Sequence, residues 1–139
     1  MELTQIDIRK LIPQREPMIM VGRVIDAGEG TVTTALEIKA DNLFCSDGKL
    51  SEEGLVENIA QSAAAMSGLV SLRDGTPVKR GFIGGVRGLK VSKRPPVGCE
   101  INTTVELIGK VMNVDLIRGV VRHEGKLIAE CEMRIFLEE

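Results

Sequence analysis

The sequence predicts an α+β fold in which one long helix is wrapped by a curved antiparallel sheet of about five to six strands. Three observations carry this prediction. A single stretch, Ser51 to Leu72, is long and apolar enough to form a buried helix. Most of the chain after it alternates with the period of two that marks half-buried strands. No repeat, low-complexity tract or linker interrupts the 139 residues, which points to a single domain over residues 1–139.

The helix comes first because everything else is arranged around it. From Gly54 to Val70 its residues are small or apolar on every side, with Glu57 and Gln61 as conspicuous exceptions. A helix that is apolar all round is a buried one. Glu57 and Gln61 are four apart and therefore share a face. A carboxylate in such a helix is costly unless it is paired, neutralised or used. Ser51 is the expected N-cap, and Glu52 and Glu53 suit the positive end of the helix dipole. Asp74-Gly75-Thr76-Pro77 should end the helix.

Before the helix, Ile6 to Leu11 reads as a short amphipathic helix stopped by Pro13, and Pro13 to Pro17 as a rigid polar bend. Met18 to Ile25 is expected to be a strand, Ala27 to Gly30 a turn, and Thr31 to Ile38 a half-buried strand. Asp41 to Lys49 is a loop with an Asp47-Gly48 turn signal. After the helix, Gly84, Gly85 and Gly88 within Arg80 to Val91 suggest bulges or close backbone approach. Arg94 to Gly98 is a second bend, and Ile101 to Ile108 alternates. Val111 to Arg122 and Lys126 to Leu137 form a hairpin around His123-Glu124-Gly125. The last strand is expected to put Leu127, Ala129, Cys131, Met133, Ile135 and Leu137 on one face.

Composition narrows the function classes. The formal net charge of -2 leaves no basic footprint, so nucleic acid is not expected as a partner. Three Phe, no Trp and no Tyr leave few stacking platforms. The start, MELTQIDIRK, has no secretory pattern, and polar residues interrupt the longest apolar stretch, so no membrane span is expected. Cys45, Cys99 and Cys131 are odd in number and widely spaced, which suits a reducing cytoplasm. No metal-ligand spacing appears, and neither a metal nor another cofactor is expected.

Five segments in register resemble one family. Ile12-Pro13-Gln14-Arg15-Glu16-Pro17-Met18-Ile19-Met20-Val21-Gly22-Arg23-Val24 is similar to the L-P-H-R-x-P-x-x-x-V-D-R-V entry motif of the 3-hydroxyacyl-acyl-carrier-protein dehydratases. Glu57-Asn58-Ile59-Ala60-Gln61 resembles their E-x-x-A-Q helix motif. Gly81-Phe82-Ile83-Gly84, the bend through Pro96 and Gly98, and Ala129-Glu130-Cys131-Glu132-Met133 follow in the family's order. The resemblance covers nearly the whole chain. It implies the hot-dog fold, two protomers sharing one continuous sheet, and acyl-carrier-protein thioesters as substrates.

The departure from the family matters equally. Counting back from Glu57, the position of the family's catalytic His falls on Leu43, and the only histidine in the chain is His123, in a turn where it is expected to face solvent. Eliminating water from a 3-hydroxyacyl thioester needs a base for the α-proton and an acid for the leaving hydroxyl. The resemblance assigns the acid to Glu57, supported by Gln61; Leu43 cannot be the base. In the family each site combines the His of one protomer with the acid of the other, so a homodimer would lack the base and a heterodimer with a His-bearing hot-dog partner would supply it. The text around Phe44, Asp47-Gly48, Leu50, Glu57 and Ala60-Gln61 is similar to the His-lacking dehydratase-like proteins of aryl polyene clusters, which pair in this way. The acyl tunnel is expected to include Leu43, Phe44, Phe82 and Val86. Whether the chain is itself an enzyme stays open: a non-catalytic acyl-binding or scaffold subunit and a thioesterase of the same fold are the alternatives. Arg15, Lys79, Arg80, Lys90, Lys93 and Arg94 are candidates to attract an acidic carrier protein.

Overall fold

In a computed structural model, which describes residues 2–138, the chain forms one long helix packed on a six-stranded antiparallel sheet. Two short 3-10 turns, Leu3–Gln5 and Ile8–Lys10, precede strands β1 (Arg23–Gly28) and β2 (Thr31–Glu37). A small hairpin of β3 (Cys45–Ser46) and β4 (Lys49–Leu50) leads into helix α1 (Glu52–Asp74). Strands β5 (Gly81–Val91), β6 (Glu100–Val111), β7 (Val114–His123) and β8 (Lys126–Leu137) complete the chain. The sheet order is β1-β2-β6-β7-β8-β5, so β5 and β1 are its edges. This is the hot-dog arrangement: α1 lies against β2, β6, β7, β5 and β8.

Local chemistry explains most element ends. The Ser51 hydroxyl accepts a hydrogen bond from the Gly54 N–H at 3.1 Å and caps α1. Gly75, in the left-handed region at φ 69°, closes the other end, where its N–H reaches the Ser71 carbonyl. The Asp47-Gly48 and Glu124-Gly125 pairs both have positive φ and make the tight turns of the β3–β4 and β7–β8 hairpins. The bend Arg94 to Gly98 holds the small hairpin in place, because the Arg94 guanidinium donates to the carbonyls of Leu50 at 3.0 Å and Ser46 at 2.9 Å.

Four details differ from the sequence reading. The segment read as an amphipathic helix over Ile6 to Leu11 is 3-10 only at Ile8–Lys10. The first strand begins at Arg23, not Met18, because side chains of α1 rather than a neighbouring strand satisfy the backbone of Met18 and Met20. In β8, Leu127 is exposed and Ile128 buried. Opposite them the register steps from Val121↔Ala129 to Arg122↔Leu127, leaving Ile128 as the extra residue of a bulge. One inserted residue flips every side chain beyond it to the other face. Finally, α1 is not enclosed on every side: Val70 and Leu72 are exposed, and its Glu57 face opens onto cavities.

The glycines of β5 behave as their spacing suggests. The pairing with β8 shifts between Ile83 and Gly85 and again between Arg87 and Lys90. A Cβ on Gly84 would come 1.9 Å from Cε2 of Phe136, so the strand approaches its neighbour where only glycine fits.

Candidate active site

The site is built on the polar residues of α1. Asn58, Gln61 and Ser62 are fully buried among apolar neighbours, so each polar atom needs a partner. Gln61 Nε2 donates to Glu57 Oε2 at 2.7 Å and to the Met18 carbonyl at 2.8 Å, while Gln61 Oε1 accepts from the Met20 N–H at 2.6 Å. Asn58 Nδ2 donates to the Met20 carbonyl at 2.8 Å, and Asn58 Oδ1 accepts from the Thr103 hydroxyl of β6. Ser62 Oγ donates to the Asn58 carbonyl at 2.7 Å and lies 2.8 Å from Thr34 Oγ1 of β2. That bond uses the only Ser62 hydroxyl proton, so Thr34 is the donor of the second.

Glu57 is half-buried and lines two cavities. One, of about 320 Å³, is walled by Ala60, Ala63, Ala64, Phe82, Ile117 and Ile135, with Gln14, Ser67, Lys79 and Asp115 as polar lining. The other, of about 470 Å³, is bounded by Met18, Phe44, Val56 and Leu89, with Glu52 and Glu53 at its rim. One carboxylate oxygen of Glu57 is held by Gln61; the other has no partner among the described residues. The arrangement offers a single oriented carboxyl beside apolar walls, which suits proton transfer to a polar group on an otherwise apolar ligand.

The structure brings Phe44 and Phe82 to the cavities that Glu57 lines, one to each. It does not bring Leu43 or Val86 there: Leu43 is 58% exposed, Val86 is 41% exposed, and neither lines a cavity of the protomer that Glu57 reaches. His123 lines none of these cavities, and its side chain, at 12% exposure, is packed at the end of β7 rather than solvent-facing. Gln14 and Asp115 were missed. The signal for Gln14 was present, since it stands where the entry motif has His; its Oε1 is a buried acceptor without a partner. Nothing local marks Asp115, which reaches the cavity only because β7 does.

The entry segment is fixed by Arg15, whose guanidinium donates to the carbonyls of Ile12 at 2.9 Å, Gln14 at 2.7 Å and Arg9 at 3.2 Å. Arg15 and Arg94 are thus committed to their own backbone and are poorly placed as free anchors for a carrier protein. Burial raises the Cys45 thiol above its usual range, against a smaller opposing pull from Arg94, and it raises the Cys131 thiol to about 11. A thiol nucleophile needs the thiolate, so Cys45 is poorly suited to thioester attack. Among the described residues no group of His, Cys, Asp and Glu is arranged to hold a metal ion, and no helix is long and apolar enough to cross a membrane.

Over residues 6–139 the chain matches the family described as ApeP-like, ApeP dehydratase. The chain belongs to this family. Among curated relatives of the ApeP-like chain is the 3-hydroxyacyl-[acyl-carrier-protein] dehydratase FabZ of Oceanobacillus iheyensis, 24% identical over 129 residues that span 91% of this chain and 92% of the relative. FabZ of Clostridium botulinum (strain Loch Maree) is 25% identical over 131 residues, 91% of this chain and 90% of the relative. Among solved structures, the dehydratase heterocomplex ApeI:P from Xenorhabdus doucetiae superposes with a TM-score of 0.90 at 16% identity, covering 96% of this chain and 92% of that one. The uncharacterized protein PH1136 from Pyrococcus horikoshii shares the fold at a TM-score of 0.69 and 15% identity, covering 97% and 96%.

Proposed function

We propose that this ApeP-like chain is the acid-bearing subunit of a dehydratase that acts on 3-hydroxyacyl thioesters of an acyl carrier protein. One observation carries the reading: the family's glutamate, Glu57, is held by the fully buried Gln61 at the wall of an apolar cavity, in a chain with Leu43 at the family's histidine position. Glu57 donates a proton to the leaving 3-hydroxyl, whose C–O bond breaks to release water. The α-proton goes to the base, and its electron pair forms the new double bond. The base is a histidine of a related hot-dog partner; the likeness to a chain of the dehydratase heterocomplex ApeI:P supports that arrangement. Three unpaired thiols support a reducing compartment such as the cytoplasm.

The test mixes the chain with a His-bearing hot-dog partner and follows dehydration of a 3-hydroxyacyl carrier-protein thioester. Dehydration is expected only in the mixture, and Glu57→Gln should lower kcat by about a hundredfold or more. Full activity from the chain alone would overturn the shared site. An unchanged rate with Glu57→Gln would leave the chain as a scaffold.

A further inference from the structure

The smaller cavity beside Glu57 shares one end with a second space. Met66, Ser67, Lys79, Asp115 and Leu137 line both this cavity and a larger groove, of about 770 Å³, that continues along α1 to Arg73 and Asp74. These residues are the border between the two spaces. From Glu57 to Ser67 the helix rises by about 15 Å. Along that distance the walls are mostly alanines, Phe82 and isoleucines, with Gln14 as an uncharged polar member. At the junction the character changes. Asp115, with its side chain only 15% exposed, accepts from Lys110 Nζ at 2.7 Å, and Lys79 lines the same junction.

We infer that the Lys110–Asp115 pair, with Lys79 beside it, sets the acyl chain length this site accepts. The inference rests on reading the Glu57 cavity as the acyl site. Each methylene that enters the apolar section tightens binding roughly fourfold. The next one must press against a mostly buried carboxylate and its ammonium partner. Lys110 is itself 55% exposed and stays solvated, but an acyl chain that reaches Asp115 takes the remaining water from a carboxylate only 15% exposed and returns no hydrogen bond, so the gain reverses. A larger groove lies on the far side of these residues, so what closes the apolar section is this charged border. Charge is the limit, and it can be removed at nearly constant volume.

The experiment uses the complex with its His-bearing partner and a series of straight-chain 3-hydroxyacyl carrier-protein thioesters lengthened two carbons at a time. In the native complex kcat/KM should rise with length and then fall at least tenfold at the step that reaches the junction. In the double variant Asp115→Leu/Lys110→Met, which removes both charges together, the ratio of long-chain to short-chain kcat/KM should rise at least tenfold. A cut-off at the same length in the double variant overturns the inference. If that variant does not fold, Asp115→Asn/Lys110→Met carries the same comparison, since it also removes both charges and keeps the shape of the Asp115 side chain. The profile is also read as binding of saturated acyl-pantetheine amides, which needs no chemistry. A length shift in binding alongside a rate indifferent to Glu57→Gln would sink the assignment of Glu57 and leave the charged stop standing.

Discussion

Every hydrogen-bonding atom of the Gln61 amide that faces the entry segment or Glu57 is engaged, and this makes it the residue on which the site's geometry depends. Replacing it by leucine would remove the brace on Glu57 and strand the Met20 N–H and the Met18 carbonyl without partners. Because stranded buried groups cost about 1–3 kcal/mol each, Gln61→Leu should destabilise the chain by roughly 2–4 kcal/mol in urea denaturation. In the active complex it should lower kcat about tenfold while KM moves little, because the acid is misaimed rather than lost. Stability equal to the native chain would show that these bonds are not made. The residue scale is also where the sequence was most legible. Glu57 and Gln61 announce themselves as polar residues in an apolar helix, and Ser51 and the two Xaa-Gly turns act through neighbours within a few positions. Asp115 did not announce itself, because its place in the cavity depends on contacts distant in sequence, whereas Gln14 was marked by standing where the entry motif has His.

Among the elements, α1 is docked by close approach as well as by burial. A Cβ on Gly68 would fall 1.9 Å from the carbonyl oxygen of the fully buried Leu11, so the helix and the entry segment touch backbone to backbone there. On an isolated helix Gly→Ala is favourable by about 1 kcal/mol. Here Gly68→Ala should destabilise the protein by about 1–3 kcal/mol, since the segment must be pushed away. A measured gain in the denaturation midpoint would mean that α1 is not seated against Leu11. The strands show why element boundaries were harder to read than element types. A strand is recognised by alternation, but where it begins depends on which backbone it pairs with. Met18 and Met20 alternate well enough, yet their partners are side chains some forty residues away. The bulge at Ile128 likewise leaves no mark in the alternation until the opposite strand is known.

For the molecule as a whole, the two sheet edges differ. The β1 edge is interrupted by a bulge between Val24 and Asp26 and carries the Arg23–Glu100 ion pair, both of which discourage pairing. The β5 edge is eleven residues long and exposes Phe82, Ile83, Val86 and Leu89. An edge of that length and character invites a second strand, and it borders the cavity that Glu57 lines. Val86→Lys should therefore weaken association with a related hot-dog partner at least tenfold, measured as a dissociation constant, while leaving the unfolding of the isolated chain within a few degrees of native. An unchanged constant would move the interface elsewhere. The family resemblance implies a continuous sheet but names no edge, because edges are defined only once the strand order is known.

The small polar network beneath Glu57 has a consequence for orientation. With apolar residues all round, α1 has no hydrophobic preference for one rotation about its own axis over another. Turning it by a single residue position, about 100°, would still bury an apolar face. It would, however, carry Glu57 away from its cavity. The bonds from Asn58 to Met20 and Thr103, from Ser62 to Thr34, and from Gln61 to the entry segment are satisfied together at only one angle. Hydrophobicity brings the helix to the sheet, and these hydrogen bonds, with the close approach of Gly68 to Leu11, set its rotational phase. The direction in which the carboxyl points is thus encoded in Asn58, Gln61 and Ser62, which line neither cavity beside it.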